Sequence, residues 1–123
     1  MPTITSGGTS EVQKWQAQAK TVYPQVNQNI VNGATHTSEW YDLDGYNTLA
    51  LLFKNETGAF SHTGTLEWSN DGVNKLVGIA TLATATSQER VGTSPAYARY
   101  VRVAINNAHT APVVVNTSLY LKP

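Results

Sequence analysis

From Ala34 to Asn74 apolar residues return at every second position in short runs, and the runs stop at Asp44-Gly45 and Asn70-Asp71-Gly72. A period of two marks a half-buried β-strand, and Asp-Gly pairs between such runs favour the tight turns that join antiparallel neighbours. Tyr46 to Asn55 places Leu49, Leu51 and Phe53 on one side and Ala50 and Leu52 on the other, which predicts a central strand covered in part on both faces. Thr65 to Ser69 turns Leu66 and Trp68 inward and Thr65, Glu67 and Ser69 outward, with Leu76 to Ala80 as the return strand.

The same punctuation continues on both sides. Val26 to Val31 and Thr35 to Asp42 read as strands separated by Asn32-Gly33, and Glu56 to Thr63 as a loop. Thr81 to Glu89 is a polar segment that suits an edge strand or a loop, and Gly92 to Pro95 reads as a turn. Ala98 to Asn106 alternates Val101, Val103 and Ile105 with Tyr100 and Arg102; Val113 to Lys122 alternates Val113, Val115, Leu119 and Leu121 with polar residues, interrupted by Thr117. Seven or eight strands at a spacing of about 10 residues predict an all-β fold, a two-sheet β-sandwich with jelly-roll or Greek-key connections. A chain of 123 residues makes one such domain.

Residues 1–24 read differently and form an expected N-terminal arm ahead of a sandwich spanning 25–123. Val12, Trp15, Ala19 and Val22 have helical spacing up to Pro24, while Trp15, Ala17, Ala19, Thr21 and Tyr23 share one face of an extended strand, so a short helix and an extended arm both stay open. Trp15 needs covering, by the domain's own core or by an adjacent subunit, and in the second case Trp15, Val22 and Tyr23 are the expected subunit contacts.

Charge then limits the partners. Eight basic and eight acidic side chains cancel, and charged residues make up 13% of the chain, which argues against long-range steering toward nucleic acid. The polar surface is built from Thr, Ser, Asn and Gln, which suits sugar contacts or wet packing against neighbouring subunits. The start lacks the basic and apolar regions of a secretory signal, and no apolar run approaches the ~20 residues of a membrane helix. A product made in the cytoplasm, with no membrane association, is expected. Cysteine is absent, so packing and hydrogen bonds must hold the fold.

No catalytic constellation emerges. His36, His62 and His109 are far apart with no metal-ligand spacing, and His36 is expected on an outward strand position with the other two in loops. Asp42, Asp44 and Asp71 belong to turn chemistry, since the residues that complete a calcium loop are missing. Glu39 and Glu67 are the strand-borne glutamates, both expected on solvent faces where a carboxylate is a poor general acid. The chain lacks a GxSxG elbow. A non-enzymatic protein without cofactor or metal is expected. Trp40, Tyr41, Phe60 and Tyr97 are the candidate ligand or partner contacts, and the pleat requires one of Trp40 and Tyr41 to face away from the core.

Three stretches together, WYDLDGYNTLALLF (40–53), GTLEWSNDG (64–72) and ARYVRVAINN (98–107), resemble a β-sandwich of bacteriophage virion proteins, the type found in capsid decoration proteins, head fibres and tail appendages and similar to discoidin-like jelly rolls. The resemblance covers about residues 25–123 and implies a virion structural protein, most simply a decoration or cement protein. Its partners would be a major capsid protein or another virion protein, in a homo-oligomer, with the arm lying across a neighbour. A carbohydrate- or receptor-binding module showing Trp40 or Tyr41, Phe60 and Tyr97 to a glycan is the competing expectation. The sugar-binding loops of discoidin-like lectins have no matching motif here.

Overall fold

The computed structural model describes residues 18–58, 61–85 and 88–123. Within them nine strands form two antiparallel sheets packed face to face, an all-β sandwich with no helix among the described residues. The first sheet has four strands, in the order β1 (Lys20–Ile30), β9 (Val113–Lys122), β4 (Thr48–Asn55) and β7 (Glu89–Pro95). The second has five: β2 (Thr35–Thr37), β8 (Tyr100–Asn107), β5 (His62–Ser69) and β6 (Val77–Ala85), with β3 (Tyr41–Asp42) beside the other half of β8. Most connections cross between sheets, so the ladders join distant parts of the chain, and β5–β6 is a local hairpin.

Alternation explains the core. Leu49, Leu51 and Phe53 of β4 meet Leu66 and Trp68 of β5, Val101, Val103 and Ile105 of β8, and the apolar phase of β9 in one buried cluster. Each such side chain contributes about 1.5–3 kcal/mol when fully buried. Thr117 breaks the apolar phase of β9 without leaving it: it is buried and exchanges hydrogen bonds with Gln25, whose backbone N–H donates to its Oγ1 at 3.1 Å.

Several expectations are corrected. The sandwich begins before the expected boundary at Pro24, because β1 starts at Lys20 and pairs Val22 with Leu119 of β9. Pro24 is accommodated at a register shift between Val22 and Gln25, where its missing N–H removes no regular ladder bond. Gly92 to Pro95 is strand, not turn. The glycine faces inward, where a Cβ would lie 2.5 Å from Thr81 Cγ2 and 2.7 Å from the Thr81 carbonyl oxygen, so it permits close approach of β6 and β7. The expected strand over Thr35 to Asp42 divides in two at Ser38, which gives its N–H to the Val103 carbonyl and takes the Val103 N–H on its hydroxyl, both at 2.9 Å.

Two side chains expected outside are inside. His62 opens β5 rather than sitting in a loop, buried and stacked on Phe53 with ring centroids 4.0 Å apart. Ser69 is buried at the end of β5, where its hydroxyl accepts the N–H groups of Asp71 and Gly72 and donates to Asp71 Oδ1. Asp71 in turn accepts the N–H groups of Val73 and Asn74 at 2.8 Å, which holds its carboxyl well below the usual carboxylate range. The Asn70-Asp71-Gly72 turn thus forms with Gly72 at φ 72°, beside the Tyr100 ring.

Candidate functional site

The outer face of the four-stranded sheet carries the most distinctive surface. By register, Val91 of β7, Leu52 of β4 and Ser118 of β9 lie in one row, and Thr93, Ala50, Tyr120 and Thr21 lie in a second. Tyr23 and Val26 of β1 complete the face. Their exposures, 64% and 63%, match the 63% of Val91, so these apolar groups stand open to solvent. Together with Leu52 they line a shallow groove of about 600 Å³ across the sheet. A second concavity of about 520 Å³ continues along the face past Ala50, Thr93 and Tyr120.

A β-bulge builds this site. Strict alternation along β1 would put Val26 in phase with Ile30 and Val22, facing the core. The ladder instead shifts register between Val22 and Gln25 and again between Gln25 and Gln28, with Asn27 in the left-handed region at φ 45°. Such shifts re-aim side chains. Gln25 turns inward, donating from Nε2 to the Val103 carbonyl of the opposite sheet at 3.0 Å and meeting His36 Nδ1 at 3.2 Å. Val26 turns out onto the groove. As the Gln25 amide is a donor, His36 Nδ1 is the acceptor, and burial lowers the His36 pKa.

A polar rim fixes one end. Asn116 donates to Asn27 Oδ1 at 3.0 Å and to Glu56 Oε2 at 2.9 Å, and it accepts the Asn27 N–H at 2.7 Å. Lys54 lies 3.5 Å from Glu56. Amides, a carboxylate and a cation thus border an apolar floor, the arrangement of a protein–protein contact with a dry centre and a wet edge.

The other sheet presents a different face. Arg102 stacks over the Trp40 ring at 4.2 Å and gives its Nε–H to Glu67 Oε1 at 2.7 Å, while Lys75 approaches the other oxygen at 3.6 Å. Glu67 is therefore half-buried between two cations instead of free on a solvent face. Nearby, Arg99 grips both carboxylate oxygens of Asp42 at 3.1 and 3.0 Å. That bond and the Asp44 N–H hold the Asp42 carboxyl below its ordinary range.

Sequence-based candidates therefore scatter. Tyr23 lies on the groove. Val22, expected at a subunit contact, is half-buried and packs on the domain's own core. Trp40 is half-buried with Arg102 stacked over it, whereas Tyr41 is half-buried and packs against the core. Burial, with a smaller push from Glu39, raises the Tyr41 pKa. Tyr97 is 60% exposed and stands edge-on to Trp68 at 5.5 Å. Trp15 and Phe60 lie outside the described residues. Among the described residues, no three potential metal-ligating side chains group together. Val26, Leu52 and Val91 escaped sequence reading. Leu52 had a signal in the alternation of its strand, and Val26 and Val91 had none.

No protein-family model matches the sequence, and no curated protein matches it. Among solved structures, a chain from the structure of infectious bursal disease virus, Gt strain, superposes with a TM-score of 0.57 at 10% identity, over 85% of this chain and 32% of that one. A chain of the Gx strain gives 0.56 at 11% identity, over 85% and 31%. This chain thus spans about a third of the length of those viral chains. Their likeness is one of fold, a two-sheet jelly-roll sandwich. The module CsCBM6-3 of Clostridium stercorarium, solved in complex with cellobiose, covers 89% of this chain and 90% of its own at 14% identity, but its TM-score of 0.39 carries no argument.

Proposed function

We propose that this chain is a non-enzymatic structural protein of a virion, a capsid decoration or cement protein of bacteriophage type, whose four-stranded sheet packs against a neighbouring virion subunit. The observation that carries this reading is the open apolar stripe of Tyr23, Val26, Leu52 and Val91 on an otherwise neutral sheet face. Scattered exposed apolar residues are ordinary, but a contiguous group rimmed by polar side chains marks a docking surface. A fold shared with chains of a virus supports the setting. The sequence resemblance supports the bacteriophage type. Repeated copies on one particle would add weak contacts through avidity.

Native mass measurement with electron microscopy of particles from its source is the test. Density for the chain on the particle surface, lost with Leu52→Asp/Val91→Asp, is the expected result. A chain that stays monomeric and is missing from every particle overturns the reading.

A glycan-binding module is the second reading. It is favoured by the exposed Tyr23 ring, which shares the groove with the polar side chains of Asn116 and Ser118, since an aromatic face beside amides and hydroxyls suits a sugar. Glycan-array binding that vanishes with Tyr23→Ala would select it.

A further inference from the structure

The amino-terminal residues enter the fold beside an unfilled part of the outer face. By register, Lys20 at the start of β1 lies opposite Leu121, so the chain joins the sheet beside Lys122. Lys122, with Thr48 and Pro95, forms the row that borders the second concavity, about 520 Å³ in volume. The next row gives that concavity its shape. Ala50 offers a single methyl between Tyr120 and Thr93, which stand two strands apart, ~10 Å at ~4.8 Å per strand. Tyr120 is 41% exposed, so its ring is an open wall of the notch.

The sequence just ahead of β1 suits such a notch. Trp15 is the largest apolar side chain of residues 1–17, Ala17 is small enough to let the chain lie close to a surface, and the charges of Glu11 and Lys14 cancel. Counting back by twos from Thr21, which faces outward opposite Tyr120, puts Trp15 on the same side of the sheet. Reach is sufficient. Trp15 is three residues before Gln18, at most ~10 Å, and its ring lengthens the span, while Ala50 lies two strand spacings in from β1, ~10 Å.

We infer that residues 12–17 fold back across the outer face of their own four-stranded sheet and seat the Trp15 indole on Ala50, between Tyr120 and Thr93. Size decides between the same chain and a second copy as the source of the segment. One aromatic side chain buries about 150–250 Å², far below the ~800 Å² per partner of a stable interface between proteins. A short tether instead holds the ring at an effective concentration near the millimolar range, where so small a contact closes. The segment is thus a strap over the second concavity, and it leaves the stripe of Tyr23, Val26, Leu52 and Val91 to a partner. The strap does not depend on what that partner is.

The chain has no cysteine, so paired Cys substitutions in the full chain report where the segment lies. Under mild oxidation in dilute solution, Gln13→Cys/Thr93→Cys closes an intramolecular disulfide at least ~10-fold faster than Gln13→Cys/Asn47→Cys. Asn47, whose N–H donates to the Lys122 carbonyl at 2.8 Å, lies just before β4 and nearer to the start of β1 than Thr93 does, so reach alone favours the opposite order. Asn47 and Thr93 are exposed, and an unchanged far-UV circular dichroism spectrum checks that each variant is folded. Trp15→Ala erases the advantage of the Thr93 pair, and Trp15→Phe keeps most of it. Equal rates for the two pairs, or an advantage that survives Trp15→Ala, overturn the proposal. Linked dimers in place of linked monomers overturn it too and assign the segment to a second copy.

Discussion

The outer faces of the two sheets follow the same alternation and acquire opposite characters. On the five-stranded sheet, the half-buried Trp40, in the break between β2 and β3, is roofed by Arg102, and that guanidinium is anchored by Glu67, which also holds Lys75. The face is closed over by its own side chains. On the four-stranded sheet, Tyr23, Val26, Leu52 and Val91 have no such cover among the described residues. An aromatic residue beside a strand therefore says little about binding until its neighbours across the sheet are known: the Arg102 cation of β8 consumes Trp40, while short neighbours such as Ser118 leave Leu52 open.

Four perturbations would break or sharpen that contrast. The largest effect is expected from Gln25→Ala, which strips partners from the buried Val103 carbonyl and Thr117 and removes the tie that joins the sheets behind the bulge. Chemical denaturation should show a loss of about 2–4 kcal/mol, and a loss under ~0.5 kcal/mol would mean that the bulge holds without it. Next, Leu52→Asp should weaken particle association by at least ~10-fold, about 1.4 kcal/mol, in a co-sedimentation assay, while the unfolding midpoint barely moves. The matching change on the other face, Thr65→Asp, should leave association intact; equal loss from both would abolish the distinction between the faces.

Arg102→Met comes third. It removes the pair with Glu67 and the stack on Trp40, for a stability loss of about 1 kcal/mol, and should raise Trp40 accessibility to a fluorescence quencher. Unchanged quenching would show that the roof is not what shields the ring. The smallest effect is in pH. Burial lowers the His36 pKa, so the folded state resists the proton that the unfolded chain accepts. Stability is complete above the unfolded value of about 6.5 and falls as pH drops below it toward the folded pKa, because the unfolded chain then binds more protons. His36→Gln should flatten that slope in denaturation midpoints measured between neutral and mildly acidic pH, and an unaltered slope would assign it to another group.

Much of the sandwich was legible because burial on one side imposes a period of two. The phases of β4, β8 and β9 were read with the correct inward residues, and β9 with its observed ends. Less of the candidate site was. Tyr23, expected at a subunit contact, lies on the groove, but Val26 comes outward only because the ladder slips twice around Gln25. Gly92 looked like punctuation since a glycine before Thr-Ser-Pro usually marks a turn; its real constraint is Thr81 across the gap. His62 and Ser69 are polar in type yet buried, one by stacking on Phe53 and the other by building a turn. Apart from those of Ser69, these partners lie on a different strand.

Alternation within each strand is a local property, written in the order of residues, and so the sequence alone determined that this chain forms strands and which side of most of them is buried. Which strand lies beside which, where the ladder slips, and whether a surface aromatic finds a cation above it depend on residues far apart in the chain meeting within and across the sheets. Those meetings, Gln25 with Val103 and Thr117 above all, were decided only by the tertiary structure, because long-range partners leave no periodic trace in a single chain.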